Sequence, residues 1–169
     1  MSKKLIWTIV AVVAVVVVVA VAVVAVVFLK PKTEANVEGT LEEIMAKLYA
    51  GIPEENLPML GQMPVDSESV EMFLGTSEVS FKEALVSEPM MGSVPHSVVL
   101  VRLNDAKDAD AAVAKIKESV NPRKWICVEA SNVVVKSKGD LVVLIMSDAE
   151  GVPTEQHLAP VLETNFNNL

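Results

Sequence analysis

Between Leu5 and Leu29 the chain runs for 25 residues without a charge, and valine makes up most of that run. Coiled as an α-helix, the run is about 37 Å long, enough to cross a hydrocarbon layer of about 30 Å. The β-branch of valine lowers helix propensity in water. In lipid an unpaired backbone amide costs several kcal/mol, so helix is the conformation that satisfies the segment. Trp7 and Phe28 fall near the two ends, where aromatic rings anchor a span at the interface. The expectation is a single-pass transmembrane helix, a signal-anchor, at Leu5–Leu29, with the bilayer as its partner.

A cleaved signal peptide is the competing reading. Lys3 and Lys4 form a charged head and Ala20-Val21-Ala22 a small-x-small site. The apolar run nevertheless continues for seven residues past Ala22, and cleavage there would leave a greasy new terminus. The basic tail, residues 1–4, favours the amino end inside and the remainder outside. Lys30 and Lys32 on the far side weaken that bias. The expected location is the cell membrane, with an extracytoplasmic C-terminal domain.

The high hydrophobic content, 51%, belongs mostly to this span. From Pro31 onward the chain holds all 22 acidic and 11 of the 14 basic residues, a net charge of −11. Such a surface repels phosphates, so nucleic acid is not an expected partner. Cys127 is the only cysteine, which excludes an intramolecular disulfide.

Residues 30–38 read as a polar juxtamembrane linker and 39–169 as one acidic soluble domain. Thr40-Leu-Glu-Glu43 is a capping box opening a helix with Leu41, Ile44, Met45 and Leu48 on one face. Gly51 and Pro53 stop it. Prolines 53, 58 and 64 with Gly61 make a loop with room for one short strand. Asp66 caps a brief helix holding Val70, Phe73 and Leu74, ended by Gly75. Phe81 to Pro89 reads as a strand, and Met90 to Pro95 turns the chain. Ser97–Leu103 is almost continuously apolar, which suits a central strand. Asp105 caps a helix with Ala109, Ala112, Val113, Ile116 and Val120 inward, stopped at Asn121-Pro122. Asn132–Lys136 and Leu141–Met146 flank Ser137–Asp140 as a hairpin with a four-residue connection. A last helix runs from about Thr154 to Phe166, kinked or starting late because of Pro160. The order α-α-β-β-α-β-β-α predicts an α+β domain of two layers, a mainly antiparallel sheet with helices on one face.

The capped helix, the Lys82–Pro89 strand, the Ser97–Arg102 strand and the Asn132–Met146 hairpin together resemble an uncharacterised family of membrane-anchored bacterial extracytoplasmic domains. The resemblance covers roughly residues 40–148 and rests on patterns of apolar residues and glycines. It implies the same topology and anchoring. The family has no assigned activity, so no residue role follows from it.

A search for chemistry yields little. His96 and His157 are far apart and lack Cys or His partners at metal-ligand spacing, so both read as structural. A Ser97–His157–Asp148 trio has no nucleophile elbow behind it. Cys127, between Ile126 and Val128, reads as a buried, inert thiol under the last hairpin. If it were exposed, Arg123 and Lys124 would activate it. Trp125 reads as core, with a partner-binding anchor as the alternative. Met59, Met63, Met90 and Met91 bring copper to mind, whereas Met45, Met72 and Met146 sit where core filling accounts for them. No phosphate-cradling glycine loop occurs. No catalytic, cofactor or metal residues are therefore expected. The expected role is a membrane-tethered interaction or structural domain with a possible protein partner. The alternative is a small envelope enzyme or ligand sensor, which would need a pocket with converging polar groups.

Overall fold

The computed structural model describes residues 35–149 and 157–169. The Leu5–Leu29 span and the Thr154 start of the last helix lie outside the described residues. None of the described helices is long and apolar enough to cross a membrane.

Helix α1, Leu41–Leu48, opens on the expected capping box. Thr40 Oγ1 accepts the Glu43 amide at 3.2 Å and Glu43 Oε2 accepts the Thr40 amide at 3.0 Å. Strand β1, Leu60–Pro64, fills the proline-rich loop. Helix α2, Val70–Leu74, follows the Asp66 turn, where Asp66 Oδ1 accepts the Ser69 amide at 2.9 Å. Gly75 ends it at φ +75°, and a Cβ there would lie 2.1 Å from the Ser119 carbonyl oxygen, so only glycine fits. Then come β2, Phe81–Pro89; β3, Ser97–Leu103; α3, Ala109–Ser119; β4, Asn132–Lys138; β5, Leu141–Ser147; and α4, Ala159–Asn167. Pro160 sits in the first turn of α4, where its missing N–H costs nothing, so proline delays the helix instead of kinking it.

The five strands form one wholly antiparallel sheet in the order β1-β2-β3-β5-β4, with β3 at its centre as its sequence predicts. The hairpin is tighter than expected. Ser137 and Lys138 extend the ladder, Lys138 faces Leu141, and Gly139 turns the two-residue loop at φ +56°.

The expected two-layer arrangement with helices on one face is incorrect. Val99, Val101, Val142, Leu144 and Met146 meet α2 and α3 on one side of the sheet. Val98, Leu100, Leu141, Val143 and Ile145 meet α1 and α4 on the other. The domain therefore has three layers. Both β3 and β5 are apolar or buried at every position. Successive strand side chains point to opposite faces, so each face needs its own cover.

The expected linker is also shorter than 30–38 at its C-terminal end. Val37 enters the second core. Arg102, buried in β3, holds the incoming segment by donating to the Val37 carbonyl at 2.8 Å and the Gly39 carbonyl at 2.7 Å. The same guanidinium donates to Glu83 at 2.7 Å and lies 3.5 Å from Asp140. Each of the three guanidinium nitrogens is thus engaged.

Candidate functional site

Polar residues at the ends of three strands meet on the α1–α4 face. Ser87 closes that face of β2, His96 directly precedes β3, Ser147 ends β5, and Tyr49 reaches in from the end of α1. His96 is 1% exposed. Its Nε2 lies 2.8 Å from Tyr49 Oη, and its Nδ1 lies 3.0 Å from Ser147 Oγ. Tyr49 Oη is 3.2 Å from Ser87 Oγ, and Ser147 Oγ is 3.2 Å from Asp148 Oδ1. One direction of donation satisfies the whole chain. Ser87 donates to Tyr49, Tyr49 to His96 Nε2, His96 Nδ1–H to Ser147, and Ser147 to the Asp148 carboxylate.

Asp148 ends this chain and begins another element. It stands at φ +65°, a left-handed conformation that Asp tolerates better than most residues. Its Oδ1 accepts the Leu158 amide at 2.9 Å and its Oδ2 the Ala159 amide at 3.4 Å, so it satisfies free donors at the start of α4. Burial pulls the His96 pKa down to about 4, against the opposing pull of the Asp148 charge. Burial likewise raises the Tyr49 pKa, with the Ser87 hydrogen bond opposing it. Among the described residues no buried side-chain nitrogen or oxygen lacks a partner.

A cleft of about 280 Å³ opens beside this chain, lined by His96, Ser147, Asp148, Glu55, Asn56 and Pro95. The residue types invite comparison with a serine hydrolase, but the order does not. A triad places histidine between serine and acid, so that the base takes the serine proton. Here Ser147 stands between histidine and acid and gives its proton to Asp148. Both His96 nitrogens are occupied. The arrangement can lock strand ends and helix ends together; it has no poised nucleophile.

Of the trio read from the sequence, Asp148 belongs to this network. Ser97 lies on the other face, 3.2 Å from Lys124 Nζ. His157 precedes α4 instead of sitting in its first turn. The trace that the sequence did carry is a set of small polar residues, with His96, standing at ends of otherwise apolar strands.

On the α2–α3 face Lys124 pairs with Glu88, and its ammonium lies 5.1 Å from the Phe73 ring centre and 5.3 Å from that of Trp125. Burial lowers its pKa against the attraction of Glu88. Trp125 packs half-buried against the core while one side lines a shallow depression with Arg123, Cys127 and Glu129. Cys127 corrects another expectation, since the thiol is exposed. Residues 121–131 form a loop that does not pass under the hairpin as a buried segment. It is held by Ile126 N–H to the Gly92 carbonyl and Ala130 N–H to the Pro122 carbonyl, both at 3.0 Å. Cys127 turns at φ +60°, which rotates it and Ile126 outward. Lys124 turns inward to Glu88, and Arg123 pairs with Glu129 at 3.3 Å.

Met45 and Met146 fill the cores as expected, but Met72, expected inside, is exposed on the outer side of the short α2. Met59, Met90, Met91 and Ile126 are 76%, 72%, 65% and 73% exposed. They cluster at one pole, because the Met90 amide donates to the Met59 carbonyl and Ile126 lies over Gly92. Among the described residues no group of three His, Cys, Asp or Glu is placed to hold a metal ion.

Set against protein-family profiles, curated proteins and solved structures, the chain matches none.

Proposed function

We propose that this chain is a single-pass membrane protein whose Leu5–Leu29 helix tethers residues 37–169 at the outer face of a cell membrane as a protein-interaction domain. Kinship with the uncharacterised membrane-anchored bacterial domains is part of the same proposal. The observation that carries it is the apolar pole of Met59, Met90, Met91 and Ile126. Large contiguous apolar surfaces on soluble domains mark contact sites, and flexible methionines suit them to a protein partner. The enzyme or sensor alternative draws on the cleft beside His96. Against it, His96, Ser147 and Asp148 spend their hydrogen bonds on one another, on Tyr49 and on the start of α4.

The test uses the full chain in its own membranes. A photo-reactive amino acid at Ile126 should give a discrete protein adduct, and the same probe at the exposed Lys117 of α3 should give none. The protein should also stay with membranes through high-salt washing. Recovery in the soluble fraction would defeat the tether. Absence of an adduct from Ile126, Met59 and Met90 alike would defeat the interaction reading.

A further inference from the structure

Beside the apolar pole runs β1, an edge strand that, among the described helices and strands, makes substantial contact with β2 alone. Its register shows which backbone groups remain open. The Met90 amide donates to the Met59 carbonyl and the Val65 amide to the Ala84 carbonyl, both at 2.9 Å, with Gly61 facing Glu88 and Met63 facing Val86 between them. In an antiparallel pair, hydrogen-bonded positions alternate. Positions 59, 61, 63 and 65 therefore turn their amides and carbonyls to β2, and Leu60, Gln62 and Pro64 turn theirs away. Pro64 occupies an outward position, where a missing N–H costs the ladder nothing. Leu60 and Gln62 keep both outward groups. Met59 and Met63 stand on one face of this edge, with Met90 opposite Met59.

Along the segment that carries the edge strand the charges have one sign, and Lys124 nearby is paired with Glu88. Between Leu48 and Phe81 there are six acidic residues and no lysine or arginine. Glu78 pairs with Lys115, and Asp66 is engaged by Ser69. Glu54 and Glu55 before β1, and Glu68 and Glu71 after it, take part in none of the ion pairs among the described residues. The opposite edge differs. On β4, Lys136 pairs with Glu163, and Lys138 bonds the carbonyls of Asn167 and Leu169 at the end of α4.

We infer that the β1 edge docks an extended peptide segment of a partner protein, one that alternates apolar and basic side chains. Such a segment adds as a strand, taking its main-chain bonds from Leu60 and Gln62. Its apolar side chains rest on the methionine face, and its basic ones answer the acidic residues at both ends of β1. This inference rests on the interaction reading and gives it a partner chemistry.

The experiment measures fluorescence anisotropy of a labelled eight-residue Val-Lys repeat peptide with the full chain in nanodiscs of neutral lipid. A Val-Glu repeat is the control. The Val-Lys peptide should bind at least about tenfold more tightly, with affinity falling as salt rises. It should also slow hydrogen exchange at the Leu60 and Gln62 amides and leave Gly61 and Met63 unchanged. Gln62→Pro removes one outward donor from a position that does not pair with β2, so it should weaken binding about tenfold or more at unchanged melting temperature. If that variant does not fold, Gln62 exchange in the native chain gives the same information. Equal binding of the two peptides, or binding without protection at Leu60 and Gln62, would overturn the inference. Protection that appears without peptide as the protein is concentrated would assign the edge to a second copy and overturn it too. A partner adduct from Ile126 with no peptide on β1 would sink the edge proposal alone; loss of both would sink the interaction reading with it.

Discussion

Acid should loosen this domain through His96 in a way that can be calculated. An ordinary histidine titrates near 6.5, whereas in the fold burial holds His96 near 4. The folded state therefore binds this proton less readily than the unfolded chain. Its contribution to stability is complete above pH 6.5, declines as pH falls from 6.5 towards 4, and is flat below that. A gap of about 2.5 units limits the loss to roughly 3 kcal/mol, of which about 2 to 2.5 kcal/mol is gone by pH 4.5. Carboxylates titrate in the same window, so the measurement is a difference. Urea unfolding at pH 7 and pH 4.5, followed by Trp125 fluorescence, is compared for a 31–169 fragment and its His96→Gln variant. The fragment contains every residue of both cores. The variant should be less stable at pH 7, because an amide cannot bridge Tyr49 and Ser147 as the ring does. Its stability should fall by about 2 kcal/mol less than that of the native fragment on going to pH 4.5. Equal losses in the two proteins would refute the reasoning, since they would mean that His96 protonates in the fold as readily as in the unfolded chain.

Two other outcomes are expected. Cys127 should react with a thiol reagent in the native domain at a rate within a few-fold of that in denaturant, and slow native labelling would contradict its exposure. Arg102→Met should cost on the order of 3 kcal/mol, because it leaves Glu83 and two backbone carbonyls without their donor; a melting temperature unchanged from the native would show that the clamp contributes little.

Local chemistry was legible in the sequence wherever one residue type has one physical use. Thr40 and Glu43 announced a helix start, Gly75 a stop, and Pro160 a delayed beginning. The uninterrupted apolar run of β3 announced a central strand. The same run also required cover on two faces, and the predicted single helical layer failed to honour it. Cys127 looks buried in the sequence because Ile126 and Val128 beside it are apolar, yet the thiol is exposed. Asn121-Pro122 and Ser131-Asn132 bracket that stretch, and such pairs are turn signals that allow a loop to face Ile126 outward. The polar network was not legible in advance. It joins residues from positions 49 to 148 whose proximity depends on strand order, and Ser87, His96 and Ser147 each look unremarkable alone.

The Arg102 clamp has a mechanical consequence. A pull arriving along the incoming chain meets, at the Val37 and Gly39 carbonyls, a guanidinium rooted in the central strand. β3 is paired on both sides along most of its length, so the load passes into two ladders at once. Had the incoming segment hung from β1 or β4, the same pull would have opened an edge one bond at a time. The segment that enters at Val37 is thus fastened to the middle of the sheet, and force on it should strip the Arg102 clamp before it disturbs the strands.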